Sequence, residues 1–173
     1  MLVPFIGYSV GRRFIGHVEC GAARLPDLLN RSEVVVIRDA YVENFDDDTI
    51  TNMGDGEIER SMLYAIEAGK GRARGSRRIA VSRTRLQVQL GPYVALGLLE
   101  APEGQLPLPY VGGAGPIIQL SDATLGYSSH GQPTLRDVGR LFVNRERMDW
   151  VRASDADAQA FLGVPVLSDR AAD

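Results

Sequence analysis

The sequence predicts a mainly β protein made of two tandem small barrel units with short helical turns. Three observations carry this reading. Short runs rich in β-branched and aromatic residues recur along the chain, such as Phe14 to Cys20 and Val34 to Val42. Four segments repeat in the same order in the two halves. Each closing segment places a polar turn between two short apolar stretches. A single β-sandwich assembled from both halves is the alternative architecture.

The repeat is read directly from the residues. Ile15-Gly16-His17-Val18-Glu19 matches Leu96-Gly97-Leu98-Leu99-Glu100, and Arg24-Leu25-Pro26 matches Gln105-Leu106-Pro107. Val36 to Val42 matches Gln119 to Leu125, with Asp39 facing Asp122. The closing match sets Arg78 to Leu86 against Arg140 to Met148. These alignments define a first β unit over 12–90, carrying an inserted acidic and basic segment at 44–77. A second β unit spans 91–152, and a short helix with a loose tail occupies 153–173.

Each element follows from local chemistry. Phe14 to Cys20 has strand character. In Arg24 to Asn30 the proline suits the first helical position, and Leu25, Leu28 and Leu29 share one face. Asn30 can end that turn in a left-handed conformation. Val34-Val35-Val36-Ile37 opens a strand whose four successive β-branched residues imply burial on both faces. In the closing motif Ile79 and Val81 have one parity, and Leu86, Val88 and Leu90 the other. A strand changes face only through a bulge or turn, so Ser82 to Arg85 reads as a tight turn. Asn144 to Arg147 repeats it, between Leu141 and Val143 on one side and Met148 and Trp150 on the other. Residues 57–67 fit a helix or a hairpin about Met53-Gly54-Asp55-Gly56, and the β-rich surroundings favour the hairpin. Residues 154–162 read as a short helix beginning at Ser154. The strand, helical break and final strand occur at the close of SH3-like and Sm-like small barrels, which names the expected unit.

Composition limits the function. The chain has 173 residues, 45% hydrophobic and 24% charged, as an ordinary globular domain or two very small ones do. It has no 18-residue apolar run, so no membrane-spanning helix is expected. One cysteine, Cys20, excludes a disulfide framework within the chain and a multi-cysteine zinc site. Met1 to Val10 is apolar but short and lacks the marks of a signal peptide, so a bacterial cytoplasmic location is expected. Nothing in the composition asks for a cofactor or a metal.

The net charge of −3 conceals strong patterning. Residues 44–69 carry seven acids and one base, and residues 70–85 carry seven bases and no acid. The basic stretch supplies candidate binding residues Arg72, Arg74, Arg77, Arg78, Arg83 and Arg85. Arg145 and Arg147 echo Arg83 and Arg85 in the second unit. Such pairs can hold phosphate bidentately or bridge to Asp39 and Asp122. The plainer expectation is that the acidic and basic stretches neutralise each other.

Other clusters are weaker. His17 and Glu19 share a strand face while Cys20 points away, which gives no Cys–His pair and leaves a surface His and Glu beside a buried thiol. H-x-E alone lacks the P-C-x-x-C half of a zinc deaminase signature. Asp46-Asp47-Asp48 departs from a calcium loop, since Thr49 stands where glycine is needed. Gly69-Lys70-Gly71 and Gly112-Gly113-Ala114-Gly115 complete no phosphate-binding motif and read as turns.

Arg24-Leu25-Pro26-Asp27-Leu28-Leu29-Asn30, followed by a strand ending Asp39-Ala40, resembles a family of uncharacterised bacterial β-modules. Those carry an R-L-S-D-x-L-N type segment, a strand, and a V-x-V-N-R-x-x-I type close. Pro26 replaces the serine, and Val143-Asn144-Arg145 keeps the closing pattern. Val81-Ser82-Arg83 departs from it, and Leu108-Pro109-Tyr110 replaces the D-x-L-N part. The resemblance implies a structural motif and no activity. The leading expectation is a non-enzymatic protein-interaction or assembly module with a protein partner or self-association. A nucleic-acid or nucleotide-binding regulator using Arg72 to Arg85 is second, and an enzyme third.

Overall fold

The computed structural model describes residues 1–68 and 80–154. Strand β1 (Leu2–Ser9) turns into β2 (Arg12–Glu19), followed by helix α1 (Leu25–Arg31). Strands β3 (Val34–Asn44) and β4 (Ile50–Glu59) form a second hairpin. A 3-10 turn at Arg60–Met62 then leads into β5 (Ala65–Ala68). The same succession follows as β6 (Val81–Leu90), β7 (Tyr93–Pro102), α2 (Pro107–Gly113), β8 (Ile117–Ser129), β9 (Gln132–Asn144), a 3-10 turn at Arg145–Arg147, and β10 (Trp150–Ala153). The mainly β class is therefore observed. The pairings are antiparallel and join all ten strands in one sheet, in the order β10-β6-β7-β8-β9-β5-β1-β2-β3-β4, rather than marking off two units.

Matched backbone features tie the halves together. Asp39 and Asp122 both adopt a left-handed φ, of 50° and 46°. They lie where β3 shifts register against β4 and β8 against β9, each just before the alanine, Ala40 or Ala123, that pairs with Gly54 or Gly139, whose φ values are 66° and 67°. An extra residue at each bulge bends the strand and strengthens its twist. Just before it, β2 and β7 cross their neighbours closely. A Cβ at Gly16 would lie 2.6 Å from Ile37 Cγ2, and one at Gly97 would lie 2.9 Å from Leu120 Cβ. Only glycine permits both approaches.

The apolar residues form two clusters. One gathers Phe14, Val18, Leu25, Leu29, Val35 and Ile37, and the other Leu86, Val88, Leu90, Leu120 and Leu125. Strands β5 and β9 serve both. Ala65 faces Val143 and Ile66 faces Phe142 in the pairing. Ala65, Leu141 and Val143 enter the second cluster, and Ile66 and Phe142 enter the first. The two-residue period of a strand sends neighbours to opposite faces, and here each face meets a core.

Several expected elements differ. Ser82 to Arg85 is no turn, because β6 runs unbroken in register with β7 from Val81 to Leu90. The parity conflict disappears because Val81 is exposed and simply faces outward. β6 pairs with β7 and β10, the place that β1 holds between β2 and β5, so it opens the second succession and does not close the first. The turn at Asn144 to Arg147 does form, and its counterpart is Arg60–Met62. Residues 53–56 make no hairpin, since β4 is continuous there and Gly54 serves the bulge. Residues 57–67 form the end of β4, a 3-10 turn and β5 instead of a helix. Val34 and Val36 are half-exposed while Val35 and Ile37 are buried, so β3 buries one face there. Asn30 remains helical, and its side chain accepts from the Ile117 N–H at 2.9 Å. The expected helix at 154–162, the tail beyond it and Ile79 fall outside the described residues, Ser154 excepted.

Asn144 locks the joint. It is fully buried, and its Nδ2 donates to the carbonyls of Arg60 at 3.0 Å and Leu63 at 2.8 Å. Its Oδ1 accepts from the Glu146 N–H at 3.1 Å, and its own N–H donates to Tyr64 O at 2.9 Å. Removing the amide strands the Leu63 carbonyl, takes one of two hydrogen bonds from the Arg60 carbonyl and uncaps the 3-10 turn. Asn144→Ala is expected to lower unfolding free energy by about 2–4 kcal/mol, read as a fall in the urea midpoint.

Candidate functional site

The candidate arginines divide into three groups. Arg72, Arg74, Arg77 and Arg78 lie outside the described residues. Arg83 and Arg85 sit on the outward parity of β6, opposite the buried Leu86, Val88 and Leu90. Arg83 Nη2 pairs with Glu100 Oε1 across the β6–β7 hairpin at 2.9 Å. Arg145 and Arg147 belong to the second 3-10 turn and are engaged within the chain. Arg147 stacks its guanidinium 4.7 Å from the centre of the Tyr64 ring. The expected match between Arg83/Arg85 and Arg145/Arg147 at two turns is overturned, because the first pair lies in a strand.

The structural counterpart of Arg145 is Arg60. Arg60 Nη1 donates to Leu29 O at 3.1 Å and Ser32 O at 3.0 Å. Arg145 donates from Nη1 to Gly112 O at 2.9 Å and from Nε to Gly115 O at 3.2 Å. Each arginine thus satisfies carbonyls left over at the end of the preceding short helix. Neither draws on Asp39 or Asp122, which serve the bulges. The Asp39 N–H instead donates to Asp55 Oδ1, whose carboxylate also pairs with Arg38 at 2.7 Å. The hydrogen bond from Arg38 holds Asp55 below the usual carboxylate range.

The acids of 44–69 find other partners among the described residues. Glu67 accepts from Tyr8 Oη at 3.2 Å and from Arg136 Nε at 3.1 Å. Burial, with the nearby Glu67 carboxylate, pushes the Tyr8 phenol well above its usual range. Asp47 accepts from the Thr49 N–H and hydroxyl, which folds the β3–β4 loop and lowers the Asp47 pKa. Asp48 contacts His130 Nε2 at 2.6 Å, and the His130 N–H donates to Phe45 O. His17 and Glu19 are exposed on one face and Cys20 is buried behind them, as the strand parity requires. Burial pushes the Cys20 thiol up, away from nucleophilic use at neutral pH. Among the described residues no three His, Cys, Asp or Glu side chains gather to hold a metal ion. No helix among them is long and apolar enough to cross a membrane.

A cleft of about 770 Å³ opens between α2, β7 and β8. Its floor is Leu99, Ile117 and Ile118, and Leu106 and Tyr110 form one wall. Glu100, Gln105, Gln119 and Asn30 supply polar groups at the lining. Sequence reasoning passed over this site because Gly112 to Gly115 read as a bare turn. The signal was there: with Arg24 and Leu106 as the matched N-caps, Pro107 takes the helical position that the buried Leu25 holds in the first half. With Pro107 in place of Leu25, α2 buries only Val111, whereas α1 buries Leu25 and Leu29.

Compared with protein-family models, with curated proteins and with solved structures, the chain matches none.

The His130–Asp48 pair gives a pH-sensitive tie between two hairpin loops. The hydrogen bond to Asp48 raises the His130 pKa. A raised folded-state value means the tie contributes fully below the unfolded histidine range and is lost as pH rises through the folded value. The imidazole of His130 is expected to titrate by NMR above about 6.5, the usual value, and Asp48→Asn to bring it back down.

Proposed function

We propose that the protein is a non-enzymatic interaction or assembly module of the bacterial cytoplasm. Its two halves act as small barrel units of SH3-like or Sm-like kind, fused edge to edge. The two-unit reading is supported by the recurring successions β5-β1-β2-β3-β4 and β10-β6-β7-β8-β9. It is supported too by bulges, close-approach glycines and arginine clamps at matched places. The functional reading is carried by one observation, the open apolar cleft beside α2. Concave apolar surface with a few polar groups at its lining is where proteins bind other molecules. A specific protein partner, or a second copy, is expected in pull-downs from native lysate and in sedimentation of the pure chain. A strictly monomeric chain that retains no partner would overturn the reading.

A second reading is nucleic-acid or nucleotide binding through the basic stretch. One observation favours it: Arg83 and Arg85 share the outward face of β6, directly after the bases at 70–78. On that reading RNA or DNA binding weakens with added salt. Arg83→Ala/Arg85→Ala makes the log–log salt dependence shallower by roughly one unit per arginine. Absence of any complex at low salt removes it.

A further inference from the structure

The two halves end their sheets differently. Strand β5 lies between β1 and β9, whereas its counterpart β10 pairs with β6 and ends the strand order. Both strands enter alike: the Tyr64 N–H before β5 donates to Tyr8 O, and the Asp149 N–H before β10 donates to Gln89 O. The Ser154 N–H donates to Arg85 O at 2.9 Å, in register with Ala153 opposite Leu86. Main-chain groups alternate sides along a strand. Trp150 and Arg152 therefore turn theirs toward β6, and Val151 and Ala153 turn theirs outward. No strand among the described residues meets that outer edge. The side chains show the same missing neighbour. Leu63, Ala65 and Ile66 are fully buried in the first half. Met148, Trp150 and Val151 hold their places in the second, where Met148 and Val151 are only partly buried and Trp150 is 43% exposed. The difference is β9, which lies along β5 and sends Phe142 into the first core beside Ile66.

We propose that the outer edge of β10 takes up an extended strand of a partner protein, antiparallel and in the register in which β5 takes β9. The claim deepens the interaction-module reading and rests on it for its biological meaning. The seam inside the chain specifies the occupant. Its strand carries a large apolar residue opposite Val151, as Phe142 stands opposite Ile66, and an aliphatic residue opposite Trp150, as Val143 stands opposite Ala65. Hydrogen bonds to the main chain of Val151 and Ala153 give the pairing, and the side chain beside Val151 gives its selectivity. The open edge of a second copy does not supply such a strand. With Gly54 and Gly139 matched, Glu57 of β4 takes the place of Phe142, and burying an unpaired carboxylate beside Val151 is costly. Trp150 fixes the other face of the joint. Ala65 enters the core of the half joined to it, so Trp150 in the same place enters an apolar face of the partner.

The test uses the full chain and a synthetic peptide of the sequence Gly139 to Arg147, which carries the β9 pattern and no tryptophan. Trp150 is the only tryptophan of the chain, so its emission reports on this edge. Saturable binding by titration calorimetry is expected, with a blue shift of the Trp150 emission. The same peptide carrying Phe142→Glu, which copies the β4 pattern, binds at least roughly tenfold more weakly. A peptide N-methylated at Phe142 loses the hydrogen bond to Val151 and weakens equally, without any change to the folded chain. Ala153→Pro removes an outward N–H and spares the pairing with β6, as an edge strand permits, and Val151→Pro does the same one pair along. Each is checked for folding by thermal melting and is expected to weaken binding by roughly tenfold or more. No binding, binding that leaves the Trp150 emission unshifted, or equal binding of either altered peptide overturns the site. Undiminished binding to a folded proline variant does so too. Pull-downs with wild type and a folded proline variant separate the two claims. A partner captured equally by both keeps the module reading and defeats the β10 edge. Peptide binding with no captured partner and no self-association keeps the edge and defeats the module reading.

Discussion

The pairing of β5 with β9 is the constraint on which the rest of the structure depends. Three residue pairs, Ala65–Val143, Ile66–Phe142 and Glu67–Leu141, join the halves by backbone hydrogen bonds. Because alternate residues enter different cores, neither cluster is complete without the joint. Ile66 and Phe142 are each fully or almost fully buried, and burial of side chains of that size is worth roughly 1.5–3 kcal/mol apiece. A half of about 70 residues is marginal alone by size, so sharing one seam is what allows both halves to be small. Asn144 makes the seam specific. Its amide reads two carbonyls of the first half, and a shift in register would leave the buried Leu63 carbonyl without that partner.

Around the seam the halves keep the same internal geometry through polar devices more than through apolar similarity. The offset between matched positions is 81 residues at Gly16 and Gly97, 83 at Asp39 and Asp122, and 85 at Gly54 and Gly139. The two-residue steps fall in the stretches between these anchors, where length is tolerated. The arginine clamp survives both steps, with Arg60 on Leu29 and Ser32 and Arg145 on Gly112 and Gly115. Backbone carbonyls accept regardless of side chain, so the clamp does not depend on which residues end the helix.

Much of this was legible in the residues, and the failures have physical causes. The β2 and β3 matches were found because each contains a feature with few substitutes, a strand glycine and an aspartate at a bulge, whereas the shared Leu-Pro pair located both helices but set them one residue out of step. The closing match failed because Arg78 to Leu86 and Arg140 to Met148 share only alternating apolar and basic residues, a pattern any outer strand satisfies. The true counterpart of Arg145, Arg60, follows Ile58 and Glu59 and has no such alternation to advertise it. What marks it is the reach of its guanidinium to the Leu29 and Ser32 carbonyls, which leaves no trace in sequence spacing. Met53 to Gly56 carried real turn chemistry, but the positive φ at Gly54 serves a bulge inside a continuous strand. The cleft escaped notice because it is an absence, Pro107 at the helical position where the first half buries Leu25, visible only beside that half.

The duplication also shows why the sheet stops where it does. β9 and β4 hold matched places, yet β9 is joined along its outer edge and β4 ends the strand order. At the 85-residue offset Phe142 corresponds to Glu57, and Asn144 to Glu59. Phe142 and Asn144 are buried against β5, whereas Glu57 and Glu59 are exposed acids. A β5-like strand approaching β4 would have to bury Glu57 where the internal seam buries Phe142. Charged residues on an open edge discourage strand addition for this reason. A head-to-tail joint between unlike edges does not close on itself and would otherwise propagate from copy to copy. The substitution of an acid for an aromatic at one matched position separates a joint made once within the chain from a joint that would build a fibre.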